Sequence, residues 1–368
     1  MSKVMRPAWA SIDLPALAHN LAAIRGFAGN NRVLAILKAN AYGHGLTRIA
    51  QALTDIDAIG VARLDEALQL RNAGVTKPIV LLEGFFSADQ IPVLAASNIE
   101  PVVHSKLQLQ QLAEVANLTD RIKVWLKVDT GMHRLGVEPE DVSACYQRLY
   151  ELPQVQGKPI LMSHFACADE PDHAKNTSQI TMFAQLHSDL SAAHGEVVTS
   201  LSNSAALLSN MAPQFDWVRP GLSLYGISPF ANECGEQHGL KAVMTLQASI
   251  ISVRKVAAGE TVGYGAAWQP NADTNIGIVA IGYGDGYPRH APEGTPVFIN
   301  GRCYPLVGRV AMDMLTVDLG AALAVELGDT AQLWGKDLPV ETVAKAVGTI
   351  PYELLCNVAR RVQLDYVE

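Results

Sequence analysis

Between residues 30 and 230 the hydrophobic pattern repeats itself. A short run of apolar, often β-branched residues gives way to a small loop and then to a stretch with helical spacing. The runs are "RVLAILKA", "AIGVA", "PIVLLEG", "EPVVHS", "IKVWLKVD", "PILMSHF", "VVTSLS" and "WVRPGLSLYG". Nearly continuous apolar runs predict strands buried on both faces, as parallel strands are beneath covering helices. "LDEALQLRNAG", closed by Gly74, and "SKLQLQQLAEVA" carry the helical period between them. Eight such units predict an α/β fold, a TIM-type (β/α)8 barrel over residues 11–230. A doubly wound open sheet is the competing arrangement. The count of eight and the lack of a glycine-rich dinucleotide turn after the first run favour the barrel.

After residue 230 the pattern changes. "GLKAVMTLQASIISVRKV", "NIGIVAIGYG", "TPVFINGRCYPLVGRV" and "GDTAQLWG" read as strands separated by turn residues, and "VETVAKAVG" as a late helix. Asn300-Gly301 between two apolar runs is a strong hairpin signal. Residues 231–368 are therefore expected to form a mostly β C-terminal domain, joined by residues 1–10, with "ANECGEQHG" marking the boundary.

Composition narrows the function classes. A chain of 368 residues with 49% hydrophobic content can bury two sizeable cores. A formal net charge of −8 without a lysine- or arginine-rich run argues against nucleic acid, whose phosphates need a basic patch. Five widely spaced cysteines with no CxxC pair argue against a disulfide framework or a zinc site and fit reduced, buried thiols. The opening "MSKVMRPAWASIDL" lacks a signal-peptide layout, and no apolar stretch is long enough to span a membrane. A cytoplasmic protein with no membrane partner and no metal is the expectation.

In a barrel of this kind the C-terminal ends of the strands surround one site. Those ends carry Lys38, Lys127 with Arg134, His164, Asn203 with Ser204, and Arg219 with Gly221. Each alone has an ordinary explanation, as a surface lysine or a satisfied core histidine. Together they describe an anion-binding pocket with one free amine. Burying that amine is costly unless chemistry needs it there. The set suits pyridoxal 5'-phosphate, whose aldehyde takes a lysine and whose phosphate takes hydroxyls and backbone N–H groups. Ser204 and Gly221 supply such groups, and Tyr42 is within reach of the same phosphate.

At these residues the chain closely resembles the alanine racemases, across almost its whole length. The resemblance is carried by "ILKANAYGHG", "LKVDTGMHRLG", "MSHFA", "SLSNSA", "WVRPGLSLYG", "VGYGAAW", "GYGDGYPRHAP" and "GRVAMDM", in that order. It implies racemisation of alanine by two-base proton transfer on the cofactor-bound amino acid, with Lys38 and Tyr264 as the bases. Two bases on opposite faces are required because inversion takes a proton from one side and returns one to the other. The resemblance further makes His164 and Arg219 a pair assisting Tyr264, with Arg219 against the pyridine nitrogen. It gives the substrate carboxylate to Arg134 and the Met312 backbone N–H. Lys127 becomes a carbamylation candidate that orients Arg134, with Asn203 and Asp313 in support. Tyr283 and Arg289 become an access corridor favouring a small side chain. Tyr264 and Met312 lie in the β domain, so a homodimer with shared active sites is implied. Two positions depart from the family pattern. Ala311 stands where many relatives have a small polar residue or cysteine. Arg360 stands where some have a tyrosine reaching the phosphate, which would shift phosphate binding towards Tyr42 and open the entrance. The rival readings are a broader-specificity racemase, a barrel-type amino-acid decarboxylase and a non-catalytic pyridoxal-phosphate carrier.

Overall fold

All eight apolar runs carry parallel strands: Arg32–Ile36, Ala58–Val61, Ile79–Leu81, Ile99–Val103, Trp125–Lys127, Ile160–Met162, Thr199–Asn203 and Trp217–Arg219. They close into a barrel, the last strand pairing with the first through Arg32 with Trp217 and Val33 with Val218. The computed structural model describes residues 5–116, 118, 120–211, 215–322 and 324–368. The strands are short and almost wholly buried because helices cover their outer faces. The helix Leu64–Asn72 buries Ala67 and Leu70, three apart on one side. The helix Lys106–Glu114 is capped by Ser105, whose hydroxyl accepts from the Gln108 N–H at 3.2 Å.

The C-terminal part is a sheet in the order Thr274–Val279, Leu315–Gly320, Arg302–Val307, Pro296–Ile299, Thr330–Trp334, Met244–Val256, Trp9–Asp13 and Gln363–Val367. The long strand Met244–Val256 also pairs with Thr274–Val279, so six of these strands form a ring. The chain's opening strand, Trp9–Asp13, is antiparallel to Met244–Val256 and parallel to Gln363–Val367. Residues 1–4 of the expected joining segment lie outside the described residues. The hairpin turn has φ of 49° at Asn300 and 82° at Gly301, the double left-handed conformation that matches the twist of the strands. The expected late helix is Val340–Val347, ended by Gly348 in the left-handed region. Its Glu341 carboxylate accepts from Ser228 N and Gly235 N, both at 3.0 Å, and so pins the boundary segment.

One apolar core runs through both parts. They meet over the turn that follows the first barrel strand. There the Tyr366 hydroxyl donates to the His44 carbonyl at 3.1 Å, and the Leu355 carbonyl occupies the space a side chain at position 43 would need. The five cysteines are unpaired as expected, but only Cys145 is buried, and Cys303 and Cys356 are exposed. Among the described residues no helix is long and apolar enough to cross a membrane.

Candidate active site

The first barrel strand delivers Lys38 and then does something the sequence does not announce. Ala39, Asn40, Ala41 and Tyr42 have φ of 54°, 55°, 54° and 51°, a left-handed turn built without glycine. Each such residue costs about 1–2 kcal/mol, so the turn persists only because its surroundings over-determine it. Asn40 Oδ1 accepts from Leu46 N at 2.9 Å, and the Asn40 carbonyl accepts from Gly45 N at 3.0 Å. The Glu66 carboxylate accepts from Asn40 N at 3.3 Å with one oxygen and from Ala62 N at 3.0 Å with the other. The turn folds Tyr42 back over the strand end, where it is buried.

Around Lys38 the structure gathers positive charge. Burial and then the Arg134 guanidinium lower the Lys38 amine from its ordinary value. Lys127 is only 7% exposed, so it is no surface lysine. Burial, then Arg219 and Arg134, bring its pKa down to about 8. Arg219 is buried and donates to Ser200 Oγ at 2.6 Å and to the Ser163 carbonyl at 2.7 Å. Its Nη2 also lies 3.2 Å from His164 Nδ1. A guanidinium only donates, so Nδ1 is the acceptor and His164 is the neutral Nε2–H tautomer. Burial and then Arg219 hold that imidazole well below its ordinary pKa. Burial alone lowers Arg219 to about 10, which leaves it charged at neutral pH. Among the described residues no ion pair reaches Lys38, Lys127, Arg134 or Arg219. Such a group of cations is stable only with an anion among them.

Arg134 reaches this group from a loop shaped by "VDTGMHRLG". The Asp129 carboxylate accepts from Gly131 N, Met132 N and His133 N at 2.8, 2.9 and 3.1 Å. Burial raises that carboxyl, but the three N–H groups more than offset it and leave it below the ordinary value.

A second cluster lies beside the first. Ser204 Oγ accepts from Gly221 N at 2.9 Å and from Ser223 Oγ at 3.0 Å, with Ser223 N at 3.4 Å. A Cβ at position 221 would stand 2.7 Å from the Tyr42 hydroxyl, so glycine keeps this cradle open. Hydroxyls and backbone N–H groups crowding one oxygen are what a phosphate's several acceptors would satisfy. A donor-rich cradle beside a cationic group that makes no ion pair among the described residues and has a depressed amine fits pyridoxal phosphate. Asn203 caps the adjoining helix Ser204–Ser209, accepting from Ala206 N at 3.0 Å, and among the described residues it makes no hydrogen bond to the cations.

Sequence reasoning missed Tyr352. Tyr352, on the helix Pro351–Cys356, sets its ring 5.8 Å from that of Tyr42, so a second phenol stands on this side of the site. Burial first, then Asp169, push its pKa up to about 12. The signal was the "IPYELLC" string, eight residues before Arg360.

The remaining residues stand apart. Tyr264 is 71% exposed and Met312 54% exposed, on turns of the β domain. Among the described residues no hydrogen bond or ring contact joins either to Lys38 within the chain. Tyr283 and Arg289 line an open cleft of about 390 Å³ with Glu353 and Asn357. Asp313 accepts from Arg361 Nη2 at 2.7 Å, and Arg361 Nε donates to Asp285 at 2.7 Å. Arg361 thereby clamps the Tyr283 loop to the Met312 loop, a link between distant segments that spacing could not show. Ala311 contributes no polar side chain, and its carbonyl accepts from Tyr283 N at 3.0 Å.

Comparison with known proteins gives one consistent result. Residues 12–229 match the alanine racemase N-terminal domain family, and residues 243–366 match the alanine racemase C-terminal domain family. The alanine racemase of Vibrio vulnificus (strain CMCP6) is 52% identical over 365 residues, covering 99% of this chain and 100% of the relative. That of Aeromonas hydrophila is 50% identical over 363 residues, covering 99% and 100%. The biosynthetic alanine racemase of Pseudomonas aeruginosa superposes with a TM-score of 0.93 at 43% identity, over 99% of this chain and 100% of that one. The alanine racemase of Bartonella henselae, solved with covalently bound pyridoxal phosphate, gives 0.88 at 29% identity, over 98% and 100%.

Proposed function

The chain belongs to the alanine racemase family of pyridoxal-phosphate-dependent isomerases, and from that premise we propose how its own residues share the racemisation of alanine. The observation that carries the proposal is the gathering of half-buried Lys38 with buried Lys127 and Arg219, a cationic group with a depressed amine and, among the described residues, no ion pair. When bound, pyridoxal phosphate supplies an electron sink that acidifies the α-C–H bond of an amino acid joined to its aldehyde.

The division of labour is as follows. The barrel, residues 11–230, holds the cofactor: Lys38 through its amine, and Tyr42, Ser204 and Gly221 at the phosphate, with Tyr352 of the C-terminal part beside Tyr42. Arg219 would face the pyridine nitrogen, where a permanent positive charge would disfavour a proton. His164, neutral and bonded through Nδ1 to Arg219, keeps Nε2–H as its free donor. Lys38 moves the proton on one face of the substrate. Its depressed pKa suits that work, since a protonated amine cannot accept. The β domain, residues 231–368, supplies Tyr264 for the opposite face and the Met312 N–H for the substrate carboxylate, alongside Arg134. Because these two are exposed and remote in one chain, a second copy delivers them, and the active form is a homodimer. Lys127, with a pKa of about 8, has a neutral fraction able to add carbon dioxide; the resulting anion would sit among Arg134, Arg219 and Lys38. Tyr283 and Arg289 line the access corridor. The reaction runs in the cytoplasm.

The test is loss of optical rotation from L-alanine, with and without added pyridoxal phosphate, followed by borohydride reduction and peptide mapping. Racemisation with the label on Lys38 is expected. A label elsewhere, or carbon dioxide release in place of racemisation, overturns the assignment.

A further inference from the structure

The left-handed turn at residues 39–42 needs a restraint, and His44, at the end of the same "ILKANAYGHG" string, stands where it can act. The ring is fully buried at 0% exposure. Its Nδ1 lies 3.0 Å from the Ala41 carbonyl and 2.9 Å from the Tyr42 carbonyl, both acceptors, so Nδ1 carries the proton. Nε2 makes no protein hydrogen bond among the described residues, and the ring borders a small cavity of about 20 Å³ with Tyr225 and Glu341. Burial depresses the imidazole pKa to about 4, with the two carbonyls opposing it, so the ring stays neutral throughout the physiological range.

The ring also stacks on Tyr225, with centroids 4.4 Å apart. Tyr225 donates its hydroxyl to the Ile36 carbonyl at 3.2 Å and lies 5.0 Å from the Tyr42 ring. His44 therefore touches the turn twice, once at its carbonyls and once through the aromatic that backs Tyr42. Among the described residues no hydrogen bond or ring contact joins it to Lys38, Ser204 or Gly221.

We propose that His44 is a positioning residue for cofactor binding: its Nδ1–H clamps the Ala41 and Tyr42 carbonyls, holds the turn left-handed, and so sets where Lys38 and Tyr42 point. This rests on the reading that Lys38 and Tyr42 hold pyridoxal phosphate. The amide N–H of asparagine can stand where Nδ1–H does, glutamine carries its donor one atom further out, and phenylalanine keeps the stacked ring without a donor.

The experiment titrates each apoprotein with pyridoxal phosphate by fluorescence, records the phosphorus chemical shift of the bound cofactor, and measures the melting temperature of the apo form. His44→Asn is expected to bind within about threefold of the parent, and His44→Phe about tenfold or more weaker with a moved phosphorus signal, tenfold being the effect of roughly 1.4 kcal/mol. A merely structural histidine would lower the apo melting temperature of both variants and leave the affinity of the folded protein unchanged. Parent-like binding by folded His44→Phe overturns the proposal. Should His44→Phe fail to fold, His44→Gln decides: weak binding is expected, and affinity equal to His44→Asn overturns it. The underlying reading is checked separately on the parent protein, where borohydride must fix the cofactor to Lys38. A label elsewhere defeats that reading whatever the His44 variants do.

Discussion

The two halves of the site are built in opposite ways. At the barrel rim Arg219 and Lys127 are buried and electrostatically perturbed: Arg219 is held by Ser200 and Ser163, and Lys127 is driven down to about 8. On the β domain the backbone is just as well fixed. Gly284 N donates to the Met312 carbonyl at 2.8 Å, and Arg361 bridges Asp285 and Asp313. Yet Tyr264, Met312, Met314 and Tyr283 point their side chains outwards. Exposed apolar and aromatic groups on a rigid scaffold mark a surface awaiting a partner. On our proposal, one half binds the cofactor and the other offers its residues to a second copy.

The largest expected effect tests that asymmetry directly. Lys38→Ala and Tyr264→Ala should each lose roughly 10²–10⁴-fold or more in alanine racemisation, the range for removing a general base. Unfolding and refolding the two variants together should restore about a quarter of the parental activity, since half the reassorted dimers carry one intact site of two. Mixtures no more active than the separate variants would show that each chain works alone.

Reversing the barrel charge comes next. Arg219→Glu should cut racemisation by about 10²-fold or more and raise pyruvate formed per racemisation event, because the ring nitrogen then favours a proton. An unchanged ratio of the two products would remove Arg219 from control of reaction outcome.

Stability separates the halves by sign. The folded pKa of Lys127 is depressed from 10.5 to about 8, so the unfolded chain binds more protons between those values. Stability attributable to this lysine is full above pH 10.5 and is lost as pH falls through 8. Replacing it by an apolar isostere, Lys127→Met, should therefore stabilise the apo form at neutral pH by about 3 kcal/mol, 2.5 pH units at 1.36 kcal/mol each. The gap should close as pH rises towards 10.5, which urea titrations at several pH values will read. The smallest effect belongs to the β-domain clamp. Arg361→Ala removes half-exposed ion pairs worth about 0.2–1 kcal/mol each, and a few-fold rise in KM for alanine with kcat nearly kept is expected.

Much of this molecule was legible in its sequence, for identifiable reasons. The eight barrel strands announced themselves because a strand buried on both faces must be apolar throughout, and helices must separate parallel neighbours. Asn300-Gly301 was legible because a two-residue hairpin demands positive φ at both positions. Lys38, Arg219 and Ser204 were legible because a charge or hydroxyl at the end of an apolar run needs a reason. The left-handed turn was not, since Ala39, Asn40, Ala41 and Tyr42 include no glycine to advertise it. Tyr352 was missed for a related reason: a tyrosine in a short helix gives no hint that it packs against a residue some three hundred positions earlier.

By itself, then, the sequence determined which segments become strand or helix and which chemistry-bearing residues sit at their ends. Both follow from local periodicity and from the cost of burying polar atoms. Only the tertiary structure decided how those residues perturb one another. The depressed amine of Lys127, the tautomers of His164 and His44, the Gly221 cradle beneath Tyr42 and the Arg361 bridge all arise between segments far apart in sequence. Burial and charge act through space, over a few ångströms that only the folded chain defines.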